Sequence, residues 1–167
     1  MFNADAVGTF LTLSGSTAYL YGYEPSPLYP GAGCTTWGNN TLFLSDDQRR
    51  IKARTATYYG AGLMAQQWMG TVDQPHRLYP THTDLTTAQG VAPVSAYALQ
   101  RPDGLWSLLM INKDAKRDWT VTVRFAGTAG NAEKFLRGPA DLYQFSAAQY
   151  AWKSAGEQGR PLRSDPP

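Results

Sequence analysis

Glu24 is the acid best placed for chemistry in this sequence. It ends Thr17–Tyr23, a run rich in β-forming residues, and Pro25 follows it directly. Barrel enzymes keep their catalytic and binding groups at the C-terminal ends of buried parallel strands. Cleavage of a glycosidic bond needs two carboxylates, ~5–5.5 Å apart for retention or ~6.5–9.5 Å for inversion. No second acid stands at an equivalent strand end. Asp46 and Asp47 read instead as helix-start charges within Ser45-Asp46-Asp47-Gln48, which matches a capping box. Glu24 is therefore better explained as a hydrogen-bonding or structural acid than as a catalytic one. Around it, Tyr21, Tyr23 and Trp37 offer ring faces suited to stacking on sugars, with Asn39 and Asn40 beside them. Packing against the rest of a barrel explains the same rings equally well.

The other motifs fall to simpler readings. Gly60-Ala-Gly62-Leu-Met-Ala65 has the G-x-G-x-x-A spacing of a dinucleotide fingerprint. It lies inside an expected helix and not at its start, so small residues for close helix packing explain it better. His76 and His82 have no cysteine or acidic cluster at ligand spacing, so no metal site is expected, and no cofactor is implied. No Ser or Cys occupies a nucleophile-elbow sequence. Cys34 has no partner for a disulfide. Asn39-Asn40-Thr41 satisfies a glycosylation sequon, a pattern short enough to arise by chance.

The elements that must position Glu24 lie on both sides of it. Phe2, Ala6, Val7, Phe10 and Leu13 recur at helical spacing, and Ser14-Gly15-Ser16 supplies a stop with Gly15 at the left-handed position. Thr17–Tyr23 reads as a strand with both faces buried, as a parallel sheet requires. A loop to Leu44 rich in Pro, Gly and Asn follows, and a second helix is expected over Ile51–Met69. This is one turn of a parallel α/β fold with nothing earlier in the chain to flank its strand. An exposed strand of that kind invites self-association.

Past a boundary near Gly70–Pro75 the pattern changes to period two. Strands are expected over Pro93–Gln100 and Leu105–Asn112, joined by the hairpin turn Arg101-Pro102-Asp103-Gly104. Trp119, Val121, Val123 and Phe125 alternate with polar residues as a half-buried strand does, and Ala140–Ser146 and Gln149–Lys153 are further strand candidates. Residues from Gly156 onward read as an extended tail. The expected fold is α+β: residues 1–72 as the terminal βα segment of a TIM-type barrel, and 73–167 as an antiparallel β-sandwich.

Composition narrows the function classes. In 167 residues, 43% are hydrophobic and 17% charged, enough apolar content for a core and too little charge for disorder. A net charge of +2 with no basic run argues against nucleic acid as a partner. No apolar run approaches the length of a membrane span, and Met1-Phe2-Asn3-Ala4-Asp5 lacks the basic start of a signal peptide, which leaves export of a longer parent open. Five Trp and ten Tyr suit either a sandwich core or a carbohydrate-stacking surface.

Four stretches carry a family resemblance: Tyr19-Leu-Tyr-Gly-Tyr-Glu-Pro25, Thr36-Trp-Gly-Asn-Asn40, Arg54-Thr-Ala-Thr-Tyr58, and the long run from Tyr97 through the hairpin turn to Asp114. Together they resemble the C-terminal part of bacterial clan A glycoside hydrolases of the β-xylosidase and α-arabinofuranosidase kind. The resemblance implies a retaining parent enzyme with an acid/base Glu after the fourth barrel strand and a nucleophile Glu after the seventh. Phe2–Leu13 would then be the seventh helix and Thr17–Tyr23 the eighth strand, so both catalytic positions would precede Met1. The chain alone is expected to be inactive, keeping only a sugar-contacting wall of Tyr21, Tyr23, Glu24, Trp37 and Asn39. The alternative is a stand-alone β-sandwich module that binds carbohydrate or protein.

Overall fold

The computed structural model describes residues 2–19, 22, 42–46, 48–71, 73–126 and 138–150. These form a mixed helix-and-sheet fold. Helix α1 (Phe2–Thr12) is followed by a two-stranded antiparallel ribbon, β1 (Phe43–Ser45) with β2 (Ile51–Arg54). Helix α2 (Ala56–Gly62) runs on without a break into a π-helical segment, Leu63–Trp68. A three-stranded antiparallel sheet comes next, with order β3 (Arg77–Tyr79), β4 (Val94–Gln100), β5 (Trp106–Asn112).

The β4–β5 hairpin forms where the sequence places it. Gly104 takes φ 84°, its N–H bonds to the Arg101 carbonyl at 2.9 Å, and the Asp103 carboxylate accepts from the Leu105 N–H at 3.1 Å. Both devices are those of a tight turn with an Asx side chain.

One face of this sheet closes on the helices. Tyr97, Leu99 and Ile111 project there and pack with Met64 and Trp68 of the π segment, and Leu99 is only 1% exposed. Ala4, Val7 and Leu11 of α1 complete the layer. The cluster thus spans the 70–75 boundary inferred from sequence. Burial of each large apolar side chain here stabilises by about 1.5–3 kcal/mol.

Helix α1 turns a different face to the sheet than its strongest apolar stripe suggests. Ala4, Val7, Gly8 and Leu11 lie inward, whereas Phe2 is 84% and Leu13 77% exposed, with Ala6 and Phe10 on the same outer side. The helix is therefore apolar on two opposite faces. Its end is a Schellman-type cap in which Gly15 N–H bonds to the Phe10 carbonyl at 2.9 Å and Ser14 N–H to that of Leu11 at 3.2 Å. The left-handed residue is Ser14 (φ 72°) and not Gly15; Gly15 instead leaves room for the Phe10 ring, which a Cβ would meet at 2.3 Å.

Several expected elements differ. The long helix over Ile51–Met69 begins only at Ala56, because 51–54 pair with Phe43–Ser45 as a ribbon. Asp46 is the acceptor at the ribbon's turn and caps no helix: its carboxylate takes the Gln48 and Arg50 N–H groups at 3.0 and 2.9 Å and the Arg50 Nε at 2.8 Å. These bonds, the Arg50 backbone N–H foremost, hold its carboxyl down to about 2. Thr55 is the true N-cap, its Oγ1 accepting from Tyr58 N–H at 3.4 Å. Thr17–Tyr19, the described start of the expected strand, forms no strand, and Tyr19 is 90% exposed. Residues 119–125 join no ladder beyond one bridge at Phe125 and leave Val121 and Val123 exposed, and 140–146 is irregular. Gln149 and Tyr150 belong to a turn opened by Ser146; residues 151–153 and the expected tail lie outside the described residues. Strand β3 (Arg77–Tyr79) is an element beyond those expected from the sequence.

Candidate functional site

All five residues singled out as a sugar-contacting wall, Tyr21, Tyr23, Glu24, Trp37 and Asn39, lie outside the described residues, as does Cys34. What the structure describes is the pair of residues that bound 23–41. The Leu42 N–H bonds to the Gly22 carbonyl at 2.9 Å, so the residues bounding 23–41 meet. Leu42 is itself buried, and its carbonyl accepts the Thr55 N–H at 3.1 Å, which ties this junction to the start of α2.

A row of aromatic rings begins beside that junction. Phe43 packs against Tyr58 at 5.1 Å between ring centroids, Tyr58 meets Tyr59 edge-on at 5.3 Å, and Tyr59 stacks on Phe145 at 5.5 Å with 20° between planes. Tyr150 closes the row, 6.0 Å from Phe145. The Arg54 guanidinium carbon stands 5.3 Å from the Tyr58 centroid, a cation–π contact. The rings are partly buried, so the row both docks residues 145–150 onto α2 and leaves ring surface open to a ligand. Burial, with Tyr59 adjacent, raises the Tyr150 phenol above its ordinary value. Adjacent tyrosines at 58 and 59 are legible in the sequence, but their meeting with Phe145 across the chain is not.

The strongest polar cluster lies elsewhere, under α1. The Tyr97 hydroxyl donates to the Asp5 carboxylate at 2.7 Å and shares a 2.8 Å bond with the Thr9 hydroxyl. The Lys113 ammonium is 3.7 Å from the other Asp5 oxygen. Burial opposes ionisation of Asp5, but hydrogen bonds from Tyr97 and Ser95 and the Lys113 charge outweigh it and lower the pKa. Burial and the Asp5 carboxylate together raise the Tyr97 phenol. Trp68 donates its indole N–H to the Tyr97 carbonyl at 3.1 Å. The Gly8 backbone lies against the Tyr97 ring so closely that a Cβ would fall 2.6 Å from it. These bonds make the cluster an anchor that ties α1 to β4 and to Lys113.

Among the described residues a concavity lies on the opposite face of the sheet. Val94, Met110, Asn112, Trp119 and Val121 line an open groove of about 330 Å³. The Trp119 indole nitrogen is buried there with no hydrogen-bond partner among the described residues. Gly60 and Gly62, whose spacing echoed a nucleotide fingerprint, sit within α2, and a Cβ on either would meet nothing within 4 Å. Close helix packing therefore does not explain them. Among the described residues no group of three or more His, Cys, Asp or Glu side chains could hold a metal, and no helix is long and apolar enough to cross a membrane. Comparison with protein-family models, with curated proteins and with solved structures finds no match to this chain.

Proposed function

We propose that the chain is the C-terminal helix-and-sheet piece of a carbohydrate-active retaining glycoside hydrolase, without the catalytic carboxylate pair. In this reading its helices belong to the edge of a barrel and its β4–β5 sheet to an accessory sandwich. The observation that carries it is the second apolar face of α1. A helix apolar on opposite sides is an interior element, and among the described residues only the Ala4–Val7–Leu11 side is covered. Phe2, Phe10 and Leu13 present the kind of surface that neighbouring barrel strands and helices would bury. The resemblance of Tyr19–Pro25 and Tyr97–Asp114 to clan A enzymes supports the same assignment. So does the bond from Leu42 to Gly22, which brings the two residues bounding 23–41 together beside an aromatic row.

Sugar contact by the loop is tested by affinity electrophoresis of the purified chain in xylan and arabinan gels. Retardation that Trp37→Ala removes is expected. Aryl xylosides and aryl arabinofuranosides incubated with the chain should release no phenol, and hydrolysis would overturn the absence of the catalytic pair. The groove at Trp119 favours a second reading, a stand-alone binding module. Retardation abolished by Val121→Asp but untouched by Trp37→Ala would select it.

A further inference from the structure

The two faces of the β1–β2 ribbon differ in kind. Leu44 and Ala53 pair across the strands and are both buried, so they hold the ribbon to the fold. Side chains alternate along a strand, which puts Lys52 and Arg54 on the other face, where Arg54 pairs with Phe43. Both cations are exposed, while the Phe43 ring and the Tyr58 ring 5.1 Å from it are half-buried. The outer face thus sets two positive charges beside one end of the aromatic row.

The two cations are held differently. Lys52 Nζ is 3.4 Å from the Asp46 carboxylate, which Arg50 Nε also reaches at 2.8 Å. The Arg54 guanidinium carbon lies 5.3 Å from the Tyr58 centroid, and among the described residues no carboxylate stands within ion-pair distance of it. A guanidinium over a ring keeps its in-plane N–H groups, so its fork stays open to a carboxylate. Residues 44–54 carry four cations, Arg49, Arg50, Lys52 and Arg54, against two acids, Asp46 and Asp47. Charge complementarity therefore favours an anion at this face, and the adjoining rings favour a ligand with a flat apolar surface.

We propose that the outer face of the β1–β2 ribbon binds an acidic glycan, a polymer whose sugars carry carboxylates. Arg54 takes one carboxylate by its fork, Lys52 supplies a second positive charge, and a sugar face lies against the open part of the Phe43 and Tyr58 rings. The ion pair of Lys52 with Asp46 lies at the surface, where such pairs are weak, so a glycan carboxylate competes for Lys52. A nucleic acid would also bring anions and flat rings, but it is held through many phosphates at once, and a net charge of +2 supplies few cations for that. The choice of a glycan rests on the carbohydrate-active reading; the place and sign of the ligand's charge come from the ribbon alone.

The test is isothermal titration calorimetry of the full chain at physiological ionic strength. Hexagalacturonate should bind more tightly than neutral xylohexaose. Arg54→Gln should weaken hexagalacturonate about tenfold or more, through loss of a charge-assisted pair, with the circular dichroism unchanged because the side chain is exposed. Arg54→Lys should restore only part of the affinity, since it returns the charge without the fork. Lys116→Gln, which removes an exposed cation in the turn after β5, should change nothing. Equal weakening by Lys116→Gln and Arg54→Gln would overturn the proposal, and so would equal affinity for hexagalacturonate and for either xylohexaose or hexathymidylate. Absence of hexagalacturonate binding with retardation in xylan gels intact would overturn this inference alone. Absence of both would remove the carbohydrate-active reading with it.

Discussion

The two faces of the β3-β4-β5 sheet are built from one hairpin and end in opposite conditions. On the helix face, Tyr97 and Trp68 are buried and their polar atoms are bonded: the phenol to Asp5 and Thr9, the indole N–H to the Tyr97 carbonyl. On the outer face, Trp119 and Val121 line a groove with Val94 and Met110 without a ladder, and the buried Trp119 indole N–H has no acceptor among the described residues. Both faces carry large apolar side chains. What separates them is the satisfaction of polar groups, since a buried donor left unpaired costs about 1–3 kcal/mol while a typical bond returns only ~1.

Substitutions at the two tryptophans sharpen that contrast most. Trp68→Ala should destabilise by about 3–5 kcal/mol, the range for loss of a buried ring and opening of a cavity. Trp119→Phe, which deletes the orphaned N–H and keeps most of the apolar area, should leave the denaturant midpoint unchanged or raised. Chemical denaturation of both variants makes the comparison. A loss at Trp119→Phe as large as at Trp68→Ala would abolish the distinction between the faces.

Glycines give the next effect. Gly8→Ala drives a methyl into the Tyr97 ring and should cost about 1–3 kcal/mol by overpacking. Gly60→Ala, with open space around it in α2, should stabilise by about 0.5–1 kcal/mol through helix propensity. Thermal melts of the pair read both signs; a stabilised Gly8→Ala would mean that α1 does not sit against Tyr97.

The smallest effect is the pH dependence of the Asp5 anchor. Its folded pKa lies below the ordinary aspartate value of about 3.9, so its contribution is present above that value and is lost as pH falls through the folded pKa. Asp5→Asn should therefore melt below the wild type at neutral pH, with the gap closing under acid. A gap that widens on acidification would mean that the carboxylate is not the bonded form. The group is partly exposed, so the effect should be modest and screened by salt.

Local chemistry is where the sequence was most legible. Arg101-Pro102-Asp103-Gly104 announced the hairpin, and its strands begin and end within a residue of the pattern. The helix over Phe2–Thr12 was equally plain. Which side of it faces the sheet was not, because a helix with two apolar stripes offers no local reason to prefer either. Ser45-Asp46-Asp47-Gln48 misled for a related reason: an aspartate that caps a helix and one that closes a ribbon turn use the same acceptor on nearby N–H groups. The alternation at Trp119–Phe125 shows that period two in the sequence secures neither a ladder nor burial, since Val121 and Val123 stay exposed. Of the candidate site, the aromatic richness could be read directly. The row from Phe43 to Tyr150 could not, since it joins residues far apart in the chain.

Amide hydrogen exchange of the native chain tests most directly whether one face of the sheet is a closed core and the other only overlaid. Tyr97, Leu99 and Leu109, whose amides lie in the β4–β5 ladder beneath the helices, should be the slowest to exchange, while those of Thr120–Val123 should exchange orders of magnitude faster. Protection at Val121 and Val123 equal to that at Leu99 would contradict the account.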